Sequence, residues 1–477
     1  MELNSEGCYQ ALLTHDARFD GAFYVGVAST RIYCRTICPA RTPRRENCSF
    51  YPTAAAAEQS GFRPCLRCRP ELAPGSAGVD ASARIAARAA ARIEDGALTD
   101  GGVEALAAGL GISGRHLRRV VESAYGVSPI ALAQTQRLLL AKRLLTDTGL
   151  TATEVAFASG FSSVRRFNAL FRARYRLNPS DLRDGQSEAT RARETVISEL
   201  SYRPPLDWDW LLRFVGARAV AGVEAVVDGR YLRTVRVNGA RGWIAVGKAA
   251  GRNALQVEMS VSLAGVIPAT LGGVRRLFDL SAHPMTIAEH LGSLAEAAPG
   301  VRVPGAFDGF ELAVRAILGQ QISVRAATTL AARIAARFGD EIETPFPPLI
   351  YLFPAAERIA AALPEEIVAM GIIGARARSI QALAQAVATG KIILDGTVDV
   401  PDTLARLTTL PGIGEWTAHY IAMRALGWPD AFPHADLGIA KAMGETNPKR
   451  VLKLAEGWRP WRAYAAMHLW KSLENQR

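Results

Sequence analysis

Four of the six cysteines in this 477-residue chain stand in two closely spaced pairs. The first pair has the form C-x3-C (Cys34 and Cys38) and the second C-x2-C (Cys65 and Cys68). Two such pairs can place four thiolates around one tetrahedral Zn2+, and the metal then closes the long loop between them in place of a large core. A redox-active CxxC pair and unliganded thiols are the alternatives.

A second set of chemically capable residues lies near the carboxyl end, in the string LPGIGEWTAHY and just beyond it. Gly412 and Gly414 stand between two helical patterns and predict a helix-hairpin-helix, whose backbone N–H groups can approach a phosphate closely. Trp416 and Tyr420 are four residues apart and therefore share one helix face. Asp436 precedes another helical pattern, where its carboxylate can both cap the helix and take part in catalysis. A packing turn, a core aromatic pair and a simple cap are the alternatives.

The charge of the chain indicates the kind of partner. A formal net charge of +11 and a pI near 9.6 favour a polyanion, either nucleic acid or an anionic membrane surface. No run of about 18 uncharged apolar residues is present, and the first residues do not form a signal peptide. We therefore expect nucleic acid as the partner, no membrane association and a cytoplasmic location. Because every cysteine lies within the first 68 residues, a disulfide framework for the whole chain is excluded.

The composition of the chain changes along its length, and each segment predicts different elements to position the residues described above. The cysteine-rich segment carries a dense set of arginines that resemble phosphate contacts: Arg35, Arg41, Arg44, Arg45, Arg63, Arg67 and Arg69. Two helix-turn-helix patterns follow, with Ser113 and Ser162 predicted to cap the second helix of each. These second helices are expected to enter successive major grooves with Arg115, Arg118, Arg165 and Arg166. An ordinary helical bundle with a basic, solvated face is the alternative.

The rest of the chain, beyond the two helix-turn-helix patterns, first alternates between apolar and polar residues and then shows helical periodicity. Period-two strands with glycine-containing turns predict an α+β subdomain, and alanine-rich amphipathic patterns predict helices after it. We thus expect a multidomain α+β protein. It comprises a small zinc domain (1–75), an all-α double helix-turn-helix domain (80–185), an α+β subdomain (197–285) and an all-α helix-hairpin-helix domain (286–477).

The first segment resembles the zinc domain of the Ada-type adaptive-response proteins, through YCRTICPAR, REN.SFY and GFRPC.RC. The resemblance implies that the four paired cysteines bind one Zn2+, which is both structural and nucleophile-activating. It also implies that Cys34 accepts a methyl group from a DNA methylphosphotriester, once per molecule. Four thiolates on Zn2+ carry a net charge of −2, and methylation of one leaves −1, which weakens repulsion from DNA.

The duplicated helix-turn-helix with its ending RYRLNPSDLR is similar to the AraC-type DNA-binding domain over about residues 83–183. This domain also follows the zinc domain in Ada proteins. The resemblance implies binding to promoter DNA, with RNA polymerase left open as a further partner. We expect the protein to act as a monomer on double-stranded DNA.

Residues from about 198 onward resemble the 3-methyladenine DNA glycosylase II enzymes of the AlkA type, within the helix-hairpin-helix superfamily. The likeness includes YRPPLDWDWLLRFVGARAV, ILGQQISV, LPGIGEWTAHY and LAEGWRPWRAYAAMHLW. It implies a TBP-like α+β subdomain followed by two helical lobes, with Asp436 as the catalytic carboxylate. The aromatic residues matching the family's base pocket are Trp416, Tyr420, Trp470 and Phe214. Gln321 matches the position of the leucine that fills the gap left by a flipped nucleotide.

The combined interpretation is a base-excision repair glycosylase that releases alkylated, cationic bases such as 3-methyladenine, fused to a regulator that senses methylphosphotriesters. A DNA-binding regulator with an inactive glycosylase domain is the alternative. A glycosylase that also cuts the strand is disfavoured, because Trp416 occupies the position of its nucleophilic lysine.

Overall fold

The computed structural model describes residues 5–74, 81–94, 96–98, 102–182, 195–396 and 398–474. The chain divides into two compact units. The first contains Met1–Pro204, Ala249–Gly272 and Leu280–Ala282, and the second contains Pro205–Lys248, Gly273–Asp279 and His283–Arg477. Within the described residues, no helix is both long enough and apolar enough to cross a membrane.

The first unit opens with a small sheet. Its strands are β1 (Tyr24–Val27), β2 (Ile32–Cys34), β3 (Cys48–Tyr51) and β4 (Arg63–Pro64), arranged in the order β3-β1-β2-β4. Strand β1 pairs antiparallel with β2 and β3, whereas β2 and β4 are parallel. Because Cys34 ends β2 and Cys65 follows β4, this parallel pairing brings the two cysteine pairs to the same edge of the sheet. Helices α1 (Ser5–Leu13) and α2 (Ala54–Gln59) belong to the same part.

Six helices form the next part of the first unit: α3 (Ala81–Glu94), α4 (Val103–Gly109), α5 (Gly114–Tyr125), α6 (Pro129–Asp147), α7 (Ala152–Ala158) and α8 (Val164–Tyr175). The pairs α4/α5 and α7/α8 are the two predicted helix-turn-helix units. Ser113 caps α5 by accepting a hydrogen bond from the backbone N–H of His116. The predicted cap Ser162 was wrong by one residue: Ser163 caps α8 by accepting from Arg166. Both serines stand before the helix, so the sequence alone could not distinguish them.

Five longer strands follow. In the first unit, β5 (Thr195–Ser201) pairs antiparallel with β9 (Ala254–Ser260). In the second unit, β6 (Glu224–Val227), β7 (Arg230–Val237) and β8 (Ala240–Lys248) form an antiparallel meander. Strands β6 to β9 lie in the segments of period-two alternation, VEAVVDGRYLRTVRVNG, RGWIAVGKAA and ALQVEMSVSL, whereas β5 precedes them. Helix α9 (Trp208–Gly216), which Asp207 caps, precedes the meander.

The remaining helices supply the core of the second unit. Helix α10 (Ile267–Leu277) begins in the first unit and ends in the second. The others are α11 (Pro284–Leu291), α12 (Ser293–Glu296), α13 (Gly309–Leu318), α14 (Val324–Phe338), α15 (Ala356–Ala360), α16 (Pro364–Val368), α17 (Gly374–Ala388), α18 (Val400–Thr408), α19 (Glu415–Arg424), α20 (Leu437–Met443), α21 (Pro448–Leu454) and α22 (Arg462–Glu474). Helix α13 is almost wholly buried and packs against α14, α17 and α19. The predicted multidomain α+β class is therefore confirmed.

A buried carboxylate joins the small sheet to the helices of the first unit. Glu58, at the end of α2, is 3% exposed. It accepts hydrogen bonds from the Tyr33 hydroxyl (3.0 Å), the Thr135 hydroxyl (2.9 Å) and the Tyr175 hydroxyl (3.3 Å). Burial raises the pKa of Glu58 to about 7, although these donors oppose the rise. The native state therefore binds a proton at Glu58 that the unfolded chain has already lost above about pH 4.5.

This proton makes stability depend on pH. Between the unfolded and folded pKa values the native state holds more protons, so stability should fall as pH rises through this window and level off above it. Glu58→Gln keeps a hydrogen-bonding side chain but cannot ionise. We expect the melting temperature of Glu58→Gln, relative to the unsubstituted protein, to rise between about pH 5 and pH 8, corresponding to roughly 3 kcal/mol in the free energy of unfolding.

Differential scanning calorimetry at a series of pH values measures this difference. Glu46→Gln, which neutralises an exposed carboxylate, is the matched control and should follow the unsubstituted protein at every pH. Parallel curves for all three proteins would contradict the assignment to Glu58.

Candidate functional sites

The four paired cysteines converge at one point. Their Sγ atoms all lie within 4.8 Å of one another, and those of Cys38 and Cys65 are 3.9 Å apart. Four sulfurs bound to one tetrahedral zinc ion at about 2.3 Å stand about 3.8 Å apart. The donor set and its spacing therefore fit zinc, and a convergence of all four thiols favours a metal site over an isolated redox pair.

Backbone groups support the sulfur cluster. The N–H of Arg35 donates to Cys68 Sγ and the N–H of Arg67 donates to Cys65 Sγ, both at 3.4 Å. Such donors partly offset the negative charge of thiolate ligands. Cys34 is half-buried, whereas the other three cysteines of the cluster are buried. Taken as a whole residue, Cys34 is thus the most exposed of the four.

Arg35 is a correction to the predicted phosphate contacts. Its side chain is almost fully buried and pairs with the buried carboxylate of Asp20, with Nε at 2.8 Å from Oδ1. It also donates to the carbonyl of Cys68 at 3.1 Å and to the hydroxyl of Ser201 at 3.0 Å. A guanidinium held in this way supports the chain around the cysteines and is not available to DNA. Nothing in the sequence pattern marked Asp20 as its partner.

The other predicted basic contacts are more accessible. Arg67 is exposed, and Arg45 is half-buried with its guanidinium 5.2 Å from the ring centre of Phe50. The arginines at the start of the two capped helices are exposed: Arg115, Arg118, Arg165 and Arg166. Arg118 pairs with Glu104 at 2.7 Å, but both side chains are solvated, so this pair contributes little stability and can be broken by a competing phosphate.

In the second unit, Asp436 accepts hydrogen bonds on both carboxylate oxygens. It caps α20, with Oδ1 accepting from the backbone N–H of Ile439 at 3.0 Å. The indole N–H of Trp470 donates to Oδ1 at 2.9 Å, and the indole N–H of Trp416 donates to Oδ2 at 3.0 Å. The half-buried carboxylate is therefore fixed in one orientation between two aromatic side chains.

Three of the four predicted aromatic residues form one cluster around Asp436. The rings of Trp416 and Tyr420 are nearly parallel, with centroids 5.4 Å apart, and the Tyr420 and Trp470 centroids are 6.3 Å apart. Phe214 is buried beside this cluster, and its ring is covered by the guanidinium of Arg218 at 3.7 Å. The structure thus brings Trp416, Tyr420 and Trp470 together and gives Phe214 an arginine as its stacking partner.

Gly438 was not singled out from the sequence, yet it lies directly against this cluster. A Cβ atom at this position would lie 3.0 Å from Asp436 Oδ1 and 3.2 Å from Trp470 Cδ1. A side chain there would crowd the hydrogen bond between the indole and the carboxylate. The only available signal was a glycine in the first turn of a helix, where glycine lowers helix propensity.

The hairpin and the turn before α14 are linked. Gly412 has a φ of +74°, and a Cβ there would lie 2.3 Å from the Ser379 hydroxyl, so glycine is required. Gly414 is exposed and has open space around it. The side chain of Gln320 donates to the carbonyl of Gly412 at 2.8 Å, which ties the turn carrying Gln321 to the hairpin. Gln321 itself is exposed and adopts a left-handed conformation, with a φ of +55°.

Four families match successive parts of the chain. Residues 7–71 match the metal binding domain of Ada, and residues 106–185 match a helix-turn-helix domain. Residues 197–308 match the AlkA N-terminal domain, and residues 314–456 match the HhH-GPD superfamily of base excision DNA repair proteins. The resemblances drawn from the sequence are therefore confirmed.

Individual proteins extend these matches. The probable bifunctional transcriptional activator/DNA repair enzyme AlkA of Mycobacterium tuberculosis is 40% identical over 98% of this chain and 97% of its own length. DNA-3-methyladenine glycosylase 2 of Escherichia coli is 40% identical over 57% of this chain and 95% of its own. The structure of a 3-methyladenine DNA glycosylase from Archaeoglobus fulgidus has the same fold over 57% of this chain and 97% of its own, with 23% identity and a TM-score of 0.50.

The sulfur cluster predicts a metal content that can be measured. We expect the purified protein to hold about one zinc ion per chain and Cys38→Ala to lose tight binding, because three remaining thiolates leave a tetrahedral site open. Cys48→Ala removes a buried cysteine outside the cluster and is the control. Elemental analysis after dialysis against a weak chelator gives the ratio. Equal zinc in both variants would contradict the assignment.

Proposed function

Because the chain belongs to the family of bifunctional transcriptional activator/DNA repair enzymes of the AlkA type, we propose that it is a DNA-3-methyladenine glycosylase fused to a regulator that responds to methylated DNA phosphates. The observation that carries the enzymatic part is the Asp436 carboxylate, oriented by two indole N–H groups within a cluster of aromatic rings. We divide the work among the segments as expected from the sequence: methyl acceptance in 1–75, promoter binding in 80–185 and base excision in 197–285 and 286–477.

The chemistry of alkylated purines accounts for this arrangement. Alkylation at N3 or N7 makes the base cationic, so that its glycosidic bond is already weak. Electron-rich rings can hold a flipped cationic base by stacking and cation–π attraction, on the order of 1–2 kcal/mol for each good face. Asp436 then stabilises the positive charge that develops on the sugar, or orients the attacking water. Trp416 cannot form a Schiff base, which supports a glycosylase without strand cleavage.

The proposed contacts to DNA are assigned to the same segments as the proposed activities. We assign phosphate contact to the hairpin backbone at Gly412 and Gly414, and entry into the gap of the flipped nucleotide to Gln321. The exposed arginines of α5 and α8 are assigned to the promoter, together with Arg45 and Arg67 near the sulfur cluster. Contact with RNA polymerase remains a further proposal for the regulatory half.

Removing the charge of Asp436 tests the enzymatic role. Asp436→Asn should lower the single-turnover release of 3-methyladenine from methylated DNA by about 100-fold or more, because an amide does not stabilise a developing sugar cation. DNA binding, measured by fluorescence anisotropy, should be retained. Asp402→Asn changes an exposed carboxylate on the hairpin helix α18 and is the matched control.

The outcome also separates the two candidate functions. Equal release by Asp436→Asn and the unsubstituted protein would reject this role for Asp436. DNA binding without any base release by the unsubstituted protein would instead favour the regulator with an inactive glycosylase domain.

For the amino-terminal part we propose methyl transfer to Cys34. The Cys34 sulfur attacks the methyl carbon, the bond from that carbon to the phosphate oxygen breaks, and the phosphodiester leaves with the electron pair, so that a stable thioether remains on Cys34. Bound zinc would keep the thiolates deprotonated yet nucleophilic. The partial exposure of Cys34 among three buried ligands supports it as the acceptor.

This transfer can be followed with DNA carrying radioactive methylphosphotriesters. Cys34→Ala should take up no methyl group and should release 3-methyladenine at the unsubstituted rate, because the two reactions use separate residues. Cys48→Ala serves as the control with both activities. Undiminished uptake in Cys34→Ala, with mass spectrometry locating the methyl group on another cysteine, would place the acceptor elsewhere.

A further inference from the structure

The buried guanidinium of Arg35 has an acceptor for each of its N–H groups. Nε and Nη2 donate to the two carboxylate oxygens of Asp20, and Nη1 donates to the carbonyls of Cys68 at 3.1 Å and Arg69 at 3.5 Å. Nη2 also donates to the hydroxyl of Ser201 at 3.0 Å. Arg35 is 3% exposed and Ser201 8%, so both are shielded from bulk water. The set of acceptors is therefore complete only when Ser201 is in place.

Ser201 comes from a different part of the sequence than the cysteines. It ends strand β5 (Thr195–Ser201), within the residues 197–308 that match the AlkA N-terminal domain. Arg35 lies within the residues 7–71 that match the metal binding domain of Ada. Both residues nevertheless belong to the first compact unit. Their contact thus joins two family segments and requires both of them in one chain.

Further contacts hold β5 and β9 against the helices of the first unit. Arg143 of α6, which is 4% exposed, donates to the carbonyl of Glu199, and α6 packs against β5. Helix α7 packs against the 3-10 helix Val261–Val266, which follows β9. These contacts fix the position of β5, and Ser201 is the point at which this strand reaches the residues that support the cysteines.

Arg35 connects the two cysteine pairs. It follows Cys34 directly in the chain, its backbone N–H donates to Cys68 Sγ at 3.4 Å, and its side chain donates to the Cys68 carbonyl. A displacement of the guanidinium would therefore shift Cys68 relative to Cys34, and contacts of this kind orient metal ligands. Without the Ser201 hydroxyl, one buried N–H of Arg35 would lack an acceptor, which is costly unless the side chain moves.

We propose that Ser201 is a positioning residue for the cysteine cluster: through Arg35, strand β5 of the α+β subdomain (197–285) holds the cysteines in their metal-binding and methyl-accepting geometry. The two parts stabilise each other, because a coupling free energy acts equally in both directions. Release of β5 loosens the metal site, and loss of the metal loosens β5. The effect on methyl acceptance rests on the proposed transfer to Cys34, whereas the effect on metal retention does not.

The test compares variants that differ in the hydroxyl group at position 201. Threonine and valine side chains have nearly the same shape, so Ser201→Thr keeps the acceptor and Ser201→Val removes it. We expect zinc-loaded Ser201→Val to release zinc to a chelating dye roughly 10-fold faster than the unsubstituted protein, as for a buried donor without an acceptor. Ser201→Thr should release zinc at nearly the unsubstituted rate. Ser201→Ala, which adds no bulk, should behave like Ser201→Val.

Hydrogen–deuterium exchange measures the coupling in the opposite direction. Removal of zinc from the unsubstituted protein should speed amide exchange in β5, with β7 (Arg230–Val237) of the second unit as the internal reference. In Ser201→Val, exchange in β5 should already be faster with zinc bound and should change less on zinc removal. Ser49→Val makes the same substitution at an exposed position of β3 and should match the unsubstituted protein in both measurements.

Two activity measurements locate the effect. Ser201→Val should take up methyl groups from DNA methylphosphotriesters roughly 10-fold more slowly, and Ser201→Thr should restore the rate. All variants at position 201 should release 3-methyladenine at the unsubstituted rate, because Asp436 and its cluster lie in the second unit.

The outcomes are distinct. Equal zinc release by Ser201→Val and Ser201→Thr would overturn the inference, as would exchange in β5 that does not respond to zinc removal. Absence of methyl uptake by the unsubstituted protein would instead reject the transfer to Cys34, and the zinc-release and exchange measurements would still decide the role of Ser201.

Discussion

Both oxygens of the Asp436 carboxylate accept hydrogen bonds from indole N–H groups, and the arrangement of the second unit around them depends on this pairing. The two tryptophans come from different helices, α19 and α22, and the carboxylate from the beginning of a third, α20. Each indole donor would lose a partner if Asp436 moved, and a half-buried carboxylate without donors is costly. The same contacts that fix the carboxylate therefore also fix the rings around it. Gly438 contributes by leaving room for Trp470.

In the first unit, contacts between distant segments likewise position the cysteines. Strands β2 and β4 bring the two cysteine pairs together, and the buried pair of Arg35 and Asp20 supports the backbone that carries them. A short sheet of this kind has little core of its own, so the metal-binding residues and the buried polar contacts together define the local structure. Glu58 then connects this sheet to the helices that follow, through three hydroxyl groups.

Local patterns in the sequence predicted much of the fold and of the candidate sites. Short motifs predicted that the four paired cysteines meet and that Asp436 caps a helix. Helical periodicity predicted that Trp416 and Tyr420 share one helix face. The contacts that connect distant segments could not be predicted, because no period relates their residues. Arg424 stands four residues from Tyr420 and could have been recognised as its neighbour on the helix, but its approach to Phe214 depends on tertiary packing. The prediction that Arg35 contacts phosphate was wrong for the same reason. The density of arginines indicated phosphate contacts, and only the folded structure shows that Arg35 is buried and paired with Asp20.

The bond between Gln320 and the carbonyl of Gly412 has a mechanical consequence. Together with the bond from the same amide to the Thr417 hydroxyl at 2.9 Å, it restrains the turn that presents Gln321 relative to the hairpin. In the proposed complex with DNA, this restraint would fix the spacing between the Gln321 side chain and the hairpin backbone, so that one could not shift along the duplex without the other.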